Sequence, residues 1–260
     1  MVAFQVNIRM NLSGLFKTKT VELSAEQKEQ AEAEIFLANH VRHYLPSYLL
    51  SLDDEPFQPS TRLIEIALEA SRKAFSLDLS QVAAPFYKEL QVFMNTYPGE
   101  HYRLLAALMD VLQPKTVIEI GTYQGAGCMA MKSALPEGSR IYTYDIIPFD
   151  QITGCGLTAT DFDEKMEQRI IDLSDPKQAE SQMDILENAD FIFADAAKDG
   201  VMERAFIALF DRVKFKKPPI IMFDDIRFVN MTQIWREIRH PKMDISSFGH
   251  WSGTGLVEWE

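Results

Sequence analysis

The stretch Val117-Ile-Glu-Ile-Gly-Thr-Tyr-Gln-Gly-Ala-Gly127 decides the fold. It reads as a buried strand ending in Glu119-Ile-Gly121, a turn carrying Gly125 and Gly127, and the start of a helix of small residues. That arrangement sets backbone amides of the turn and helix start beside a bound anion or carboxylate. Glycine lets the ligand approach the backbone closely. A dinucleotide fingerprint would need glycines at relative positions one, three and six, and Tyr123 and Ala126 break that spacing. Nicotinamide binding is therefore the weaker choice.

Outward from this motif, short β-rich runs alternate with helical patterns from His101 onward, the signature of a parallel sheet with crossover helices. Strands are expected at 116–121, 140–146, 168–173, 189–195 and 219–225. Several of these are almost continuously apolar, as strands covered on both faces must be. A helix over 229–240 is stopped by Pro241. Two further runs, 243–248 and 254–259, are joined by Gly249-His-Trp-Ser-Gly253, a loop between adjacent strands. The expected fold is α/β, a doubly wound, mostly parallel, seven-stranded Rossmann-like sheet.

Before residue 98 the pattern is helical. Ser24 and Gln27 form a capping box, and Ile35, Ala38, Val41 and Leu45 continue at helical spacing to Pro46. A second helix starts at Ser60 with Leu63, Ile64, Ala67, Leu68 and Ala74, shorter helical stretches follow between Val82 and Met94, and Asn95-Thr-Tyr-Pro-Gly99 is a linker. The division is an N-terminal helical extension or cap over 1–97 and a catalytic domain over 98–260.

The formal charge of −12 argues against nucleic-acid partners, which need clustered Lys and Arg. No run is apolar enough to span a membrane, and the N-terminus lacks a secretory pattern, so the expected home is the cytoplasm. Cys128 and Cys155 form no metal-binding pattern and read as free thiols. A homo-oligomer stays open.

Asp145 ends the second strand, where a carboxylate can accept both hydroxyls of a ribose, and Asp172 closes the third in a position suited to an adenine edge. Ligands in such sheets bind at the carboxyl ends of strands near the point where strand order reverses. The bland alternative is a tight turn followed by a capping Asp145. Here Glu-Ile-Gly-Thr-Tyr-Gln-Gly-Ala-Gly resembles the first motif of the cation-dependent O-methyltransferases, the group that includes catechol and caffeoyl-CoA O-methyltransferases. Tyr144-Asp145 resembles their second motif. The resemblance covers about residues 98–260 and implies a class I S-adenosylmethionine-dependent methyltransferase, with Glu119, Gly121, Thr122, Tyr123, Gly125, Gly127, Asp145, Asp172 and Asp195 around the cofactor.

The fourth strand ends in Phe191-Ile-Phe-Ala-Asp195-Ala-Ala-Lys198-Asp199 and the fifth in Ile221-Met-Phe-Asp224-Asp225. Three carboxylates at adjacent strand ends repel one another unless a cation neutralises them, and oxygen ligands suit Mg²⁺ or another hard divalent ion. The resemblance implies Asp195, Asp224 and Asp225 as metal ligands, although the family pattern has Asn where this chain has Asp225. It also implies Lys198 as the catalytic lysine, a general base if desolvation near a cation lowers its pKa. The family pattern often has an aromatic residue where this chain has Val201. Helix capping by the three carboxylates and a solvated Lys198 are the bland alternatives.

His250 lies in the last strand-to-strand loop, on the expected cofactor face, as a reserve general base beside Trp251. His101 reads as a surface or packing residue, and His40, His43 and His240 carry no functional signal. The function expected is Mg²⁺-dependent O-methylation of a small hydroxylated molecule, such as a phenol, a sugar or a polyketide-type metabolite. Alternatives are a metal-independent methyltransferase using His250 or Lys198, and a catalytically silent S-adenosylmethionine-binding module.

Overall fold

The structure, a computed structural model, describes residues 57–228 and 230–260. The Ser24–Gln27 capping box, the helix through Ile35 to Leu45, and His40 and His43 lie outside the described residues. The first helix among the described residues, α1 (Thr61–Ala74), starts where Ser60 caps it, the hydroxyl accepting from the Leu63 amide at 3.0 Å. Leu63, Ile66, Ala67, Ala70 and Ala74 face inward, whereas Ile64 and Leu68 face out. Short helices α2 (Ser80–Ala83) and α3 (Lys88–Asn95) follow, then α4 (Tyr102–Leu112), with Leu104 to Met109 all buried.

The sheet then begins with β1 (Thr116–Ile120), followed by α5 (Ala126–Ser133), β2 (Arg140–Asp145), β3 (Met166–Ile170), α6 (Pro176–Glu180) and α7 (Met183–Leu186). After these come β4 (Phe191–Ala194), α8 (Met202–Phe210), β5 (Ile220–Asp224), α9 (Met231–Glu237), β6 (Lys242–Asp244) and β7 (Thr254–Glu258). Strand order is β3-β2-β1-β4-β5-β7-β6, with β1 to β5 parallel and β7 antiparallel to both β5 and β6. This is the doubly wound seven-stranded sheet expected.

Alternation along each strand sends side chains to two cores. Val117, Phe191, Phe193 and Met222 pack with Leu63, Leu104, Leu108 and Cys128. Ile118, Ile192, Ala194 and Phe223 pack on the other face with Phe206, Phe210, Ile234 and Trp235. The helix α1 shares the first core and is tied to the sheet by Ser60 and Arg62, both bonded to the Glu258 carboxylate.

Two strand expectations shift. β3 covers 166–170 rather than 168–173, because it is an edge strand whose pairing with β2 ends at Asp145–Ile170. Its charged residues Glu167 and Arg169 form ion pairs there, so apolar content does not mark its extent. β6 stops at Asp244, whose carboxylate accepts from the Ser246 amide and hydroxyl and turns the chain into a 3₁₀ turn at Ser246–Phe248.

The helix α9 ends on a buried lysine. The Lys242 ammonium donates to the carbonyls of Trp235 and Ile238 at 2.8 and 3.0 Å, satisfying helix-end acceptors and countering the negative end of the helix dipole. Lys242→Met keeps the stem but strands those buried carbonyls, a loss of about 1–3 kcal/mol. Thermal melts should show Tm lower by roughly 3–8 °C, with Lys242→Arg less affected. An unchanged Tm in Lys242→Met would remove the lysine as the helix stop.

Candidate active site

Strand order reverses between β1 and β4, and a cavity of about 440 Å³ opens at their carboxyl ends. Gly121, Tyr123, Asp145, Asp172 and Asp195 line it, with Ile146, Ile171 and Phe206 supplying apolar wall. Gly121 is required by the reversal itself. Its φ is +102°, and a Cβ there would overlap the carbonyl oxygen of Asp195, so only glycine lets the ends of β1 and β4 meet.

The Asp145 carboxylate accepts from two backbone donors: Tyr123 N–H to one oxygen at 2.9 Å and Ile147 N–H to the other at 3.0 Å. Each oxygen keeps lone-pair capacity toward the cavity. Asp172 lies beyond the end of β3 and accepts from the Ser174 amide and hydroxyl through one oxygen, Oδ1.

Four residues expected around the cofactor do not line this cavity. Glu119 and Thr122 are buried beneath it, linked through Thr143: Thr143 donates to Glu119 at 2.5 Å, and its hydroxyl lies 2.6 Å from that of Thr122. Gly127 leaves room for the Glu119 carboxyl, which a Cβ would strike, and Gly125 caps α5. Their place is behind the turn, because the strand residue preceding Gly121 by two points into the core rather than out of the strand end. Burial pushes the Glu119 carboxyl up to about 8, against the hydrogen bond from Thr143.

Asp195 joins the cavity to a charged cluster. Ligand atoms of Asp195, Asp224 and Asp225 all lie within 4.8 Å of one another. Lys198 forms ion pairs with Asp195 and, at 3.2 Å, with Asp225. His250 Nδ1 lies 3.3 Å from Asp224 and 3.2 Å from Asp225, with the Ser252 hydroxyl bonded to Asp225 and 2.7 Å from the same imidazole nitrogen. Tyr123, Lys198 and Asp225 all have positive φ, local strain held at the ends of β1, β4 and β5.

Charge decides the protonation states. Burial alone would raise the Asp224 carboxyl, but His101 and then His250 hold it well below the usual carboxylate range. Asp195 goes the other way: burial and the neighbouring Asp224 charge raise it, against Lys198. Burial would lower Lys198, yet Asp195, Asp224 and Asp225 keep its ammonium well above its ordinary pKa. His250 is likewise pushed up to about 10, its burial outweighed by hydrogen bonds to Asp224 and Asp225. Both expected bases are therefore cations in this arrangement.

Three participants were not legible in the sequence. His101 is buried, with Nδ1 3.2 Å from Asp224 Oδ1, and Glu100 Oε2 lies 3.5 Å from His250 Nε2. They arrive together because Gly99 is clipped to the β6–β7 loop by Gly99 N–H to Gly249 O and Trp251 N–H to Gly99 O, each 3.0 Å. No local pattern announces that pairing. The third is buried Glu203, which accepts from the Lys198 and Gly200 amides at 2.7 and 2.8 Å and fixes the lysine loop. Its position in the first turn of α8 was the available signal. Val201, where the family pattern has an aromatic residue, is exposed.

A family model described as O-methyltransferase matches residues 71–229. The match spans more than half of the chain, and the chain belongs to the O-methyltransferase family. With its sheet topology, it is a class I methyltransferase. No curated protein sequence matches it. Among solved structures it is similar to an O-methyltransferase from Bacillus cereus in complex with SAH, at 17% identity and TM-score 0.45, over 86% of this chain and 97% of the other. It is also similar to the O-methyltransferase TomG from Streptomyces achromogenes, at 16% identity and TM-score 0.43, over 91% and 99%. A third likeness is the Podospora anserina methyltransferase PaMTH1, at 13% identity and TM-score 0.43, over 94% and 100%.

The buried Glu119 makes stability depend on pH in a defined direction. Its folded pKa of about 8 lies above the ordinary 4.5, so between these values the folded chain holds a proton that the unfolded chain has lost. Stability from this group is full below the lower value and falls as pH rises toward the upper, by an amount on the order of a few kcal/mol. Glu119→Gln removes that slope. The Tm of the variant minus that of the parent should grow by several degrees from pH 5 to pH 8, and a constant difference would show that Glu119 is ionised throughout.

Proposed function

We propose that the chain transfers the methyl group of S-adenosylmethionine to a hydroxyl oxygen of a small molecule, with a divalent cation, Mg²⁺ first, at Asp195, Asp224 and Asp225. The observation carrying this reading is that Asp195 belongs to both the cofactor cavity and the carboxylate cluster. A sulfonium methyl held in the cavity would therefore lie next to the groups that handle the acceptor. In this reading Asp145 takes the ribose hydroxyls, Asp172 and the isoleucines take the adenine, and Gly121 and Tyr123 border the amino-acid end. Residues 98–260 form the catalytic domain of a cytoplasmic enzyme, and residues 1–97 an extension whose helices α1 to α3 complete its core.

The reaction forms an oxygen–carbon bond as the carbon–sulfur bond breaks, releases S-adenosylhomocysteine, and sends the hydroxyl proton to a base. The positive sulfur needs no further activation, so the protein aligns the acceptor and takes its proton. The donor set fits a hard divalent ion, being three carboxylates with Asp224 Oδ1 buried and making no hydrogen bond. Such an ion would supply Lewis acidity that makes the acceptor hydroxyl easier to deprotonate. Lys198 holds its proton because Asp195, Asp224 and Asp225 attract it, and it becomes a competent base once that negative charge is neutralised. Glu203 keeps the lysine aimed at the cluster, and His250, between Glu100 and the aspartates, is the second proton acceptor.

A metal-independent reading has its own support. Lys198, His101 and His250 already set three cationic side chains against the three aspartates. EDTA separates the two. Assayed over phenols, sugars and natural-product alcohols, turnover should fall at least tenfold in EDTA and return with Mg²⁺; turnover indifferent to EDTA would remove the cation from the mechanism. Asp195→Ala should abolish turnover while S-adenosylhomocysteine affinity stays within about tenfold. Loss of cofactor binding instead would make Asp195 a cofactor contact.

A further inference from the structure

The side chains of His101, Asp224 and His250 form a second donor set with a different chemical preference. Their ligand atoms, two imidazole nitrogens and one carboxylate oxygen, lie within 4.8 Å of one another. Asp224 Oδ1 is 3.2 Å from His101 Nδ1 and 3.3 Å from His250 Nδ1. Those separations match the edges of a coordination polyhedron with bonds of ~2.1 Å, which run from about 3.0 to 3.4 Å.

Two of the three atoms make no hydrogen bond. His101 Nδ1 and Asp224 Oδ1 are buried and lie 3.2 Å apart as an ion pair, but neither makes a hydrogen bond. His101 is 3% exposed and Asp224 2%, so water does not satisfy them from outside. Buried polar atoms without a hydrogen bond are uncommon, and an ion bound between these two would satisfy both. The third donor has an outer partner as well. Glu100 Oε2 lies 3.5 Å from His250 Nε2, an ion-pair separation that favours the proton on Nε2 and leaves Nδ1 to ligate, as a carboxylate beside a metal-bound histidine commonly does. The clip between Gly99 and the 249–251 loop holds both histidine-bearing segments in place.

The oxygen-only set differs in one respect. Lys198 already sits against Asp195 and Asp225, whereas Asp224 Oδ1 faces only imidazoles among its ion-pair partners. We infer that His101, Asp224 and His250 form a binding site for a first-row transition-metal ion, Zn²⁺, Fe²⁺, Mn²⁺ or Co²⁺, with Glu100 orienting His250. Imidazole donors favour these ions over Mg²⁺, and two histidines with one carboxylate leave coordination positions open. The site shares Asp224 with the Mg²⁺ reading but does not rest on methyl transfer.

Co²⁺ titration of the full chain, without a polyhistidine tag, tests the site through the visible d–d absorption of the bound ion and by equilibrium dialysis. One Co²⁺ should bind per chain, at least tenfold tighter than Mg²⁺, and millimolar Mg²⁺ should not displace it. His250→Gln and His101→Gln should each weaken Co²⁺ at least tenfold, Glu100→Gln less, and Asp195→Asn by no more than about threefold. If His101→Gln fails to fold by circular dichroism, His250→Gln and Glu100→Gln still decide. No bound Co²⁺, or binding lost in Asp195→Asn but kept in His250→Gln, overturns the site. EDTA-insensitive turnover, measured separately, would sink the Mg²⁺ reading without altering this result.

Discussion

The close approach of β1 to β4 at Gly121 is the constraint on which the site depends. The absence of a Cβ there lets the Asp195 carbonyl lie against the turn, so the strand that enters the cofactor cavity also delivers Asp195 to the carboxylate cluster. A larger residue would separate the two strand ends at the point where strand order reverses. Cavity and cluster would then part, and with them the alignment on which the proposed methyl transfer to oxygen depends. The buried column from Thr122 through Thr143 to Glu119 supports the turn from behind, filling the space that Gly127 leaves.

Placing Asp224 almost out of solvent beside Asp195 and Asp225 would be prohibitive without compensation, since each buried charge sacrifices several kcal/mol of hydration. The compensation comes from elements distant in sequence: Lys198 after β4, His250 between β6 and β7, and His101 at the head of α4. Each cation is kept protonated by the carboxylates it neutralises. The cluster is thus stable as found and also poised, because removing negative charge from the aspartates releases the lysine and the imidazole from the protonated state.

How much of this was legible in the sequence follows from how local each feature is. The turn at 117–127, Asp145 as the last residue of β2, and the aspartates ending β4 and β5 are signalled by apolar runs broken by glycine or a carboxylate, and the structure has them at strand ends. β3 was misplaced because an edge strand is marked by pairing and ion pairs rather than apolar content. The motif shows that Glu119 is present but not which way its carboxylate points, and inside the strand it faces the core. The place of His101 is hidden from the sequence for a deeper reason. Its approach to Asp224 depends on two backbone hydrogen bonds between Gly99 and a loop about 150 residues later, and no periodicity encodes them.

The same distinction bears on Lys198. Desolvation argues for a lysine of low pKa, whereas the aspartates that the sequence places at the neighbouring strand ends argue for a high one. In the structure burial does act in that direction, but three carboxylates within one cluster overcome it. A buried lysine is a base only if its neighbours do not pay the desolvation penalty for its charge. Here they do, so the base strength of Lys198 is set by the charge on Asp195, Asp224 and Asp225 rather than by its own burial. In the proposed reaction, whatever neutralises those aspartates would control proton removal as well as acceptor position, coupling the two requirements of O-methylation through a single cluster.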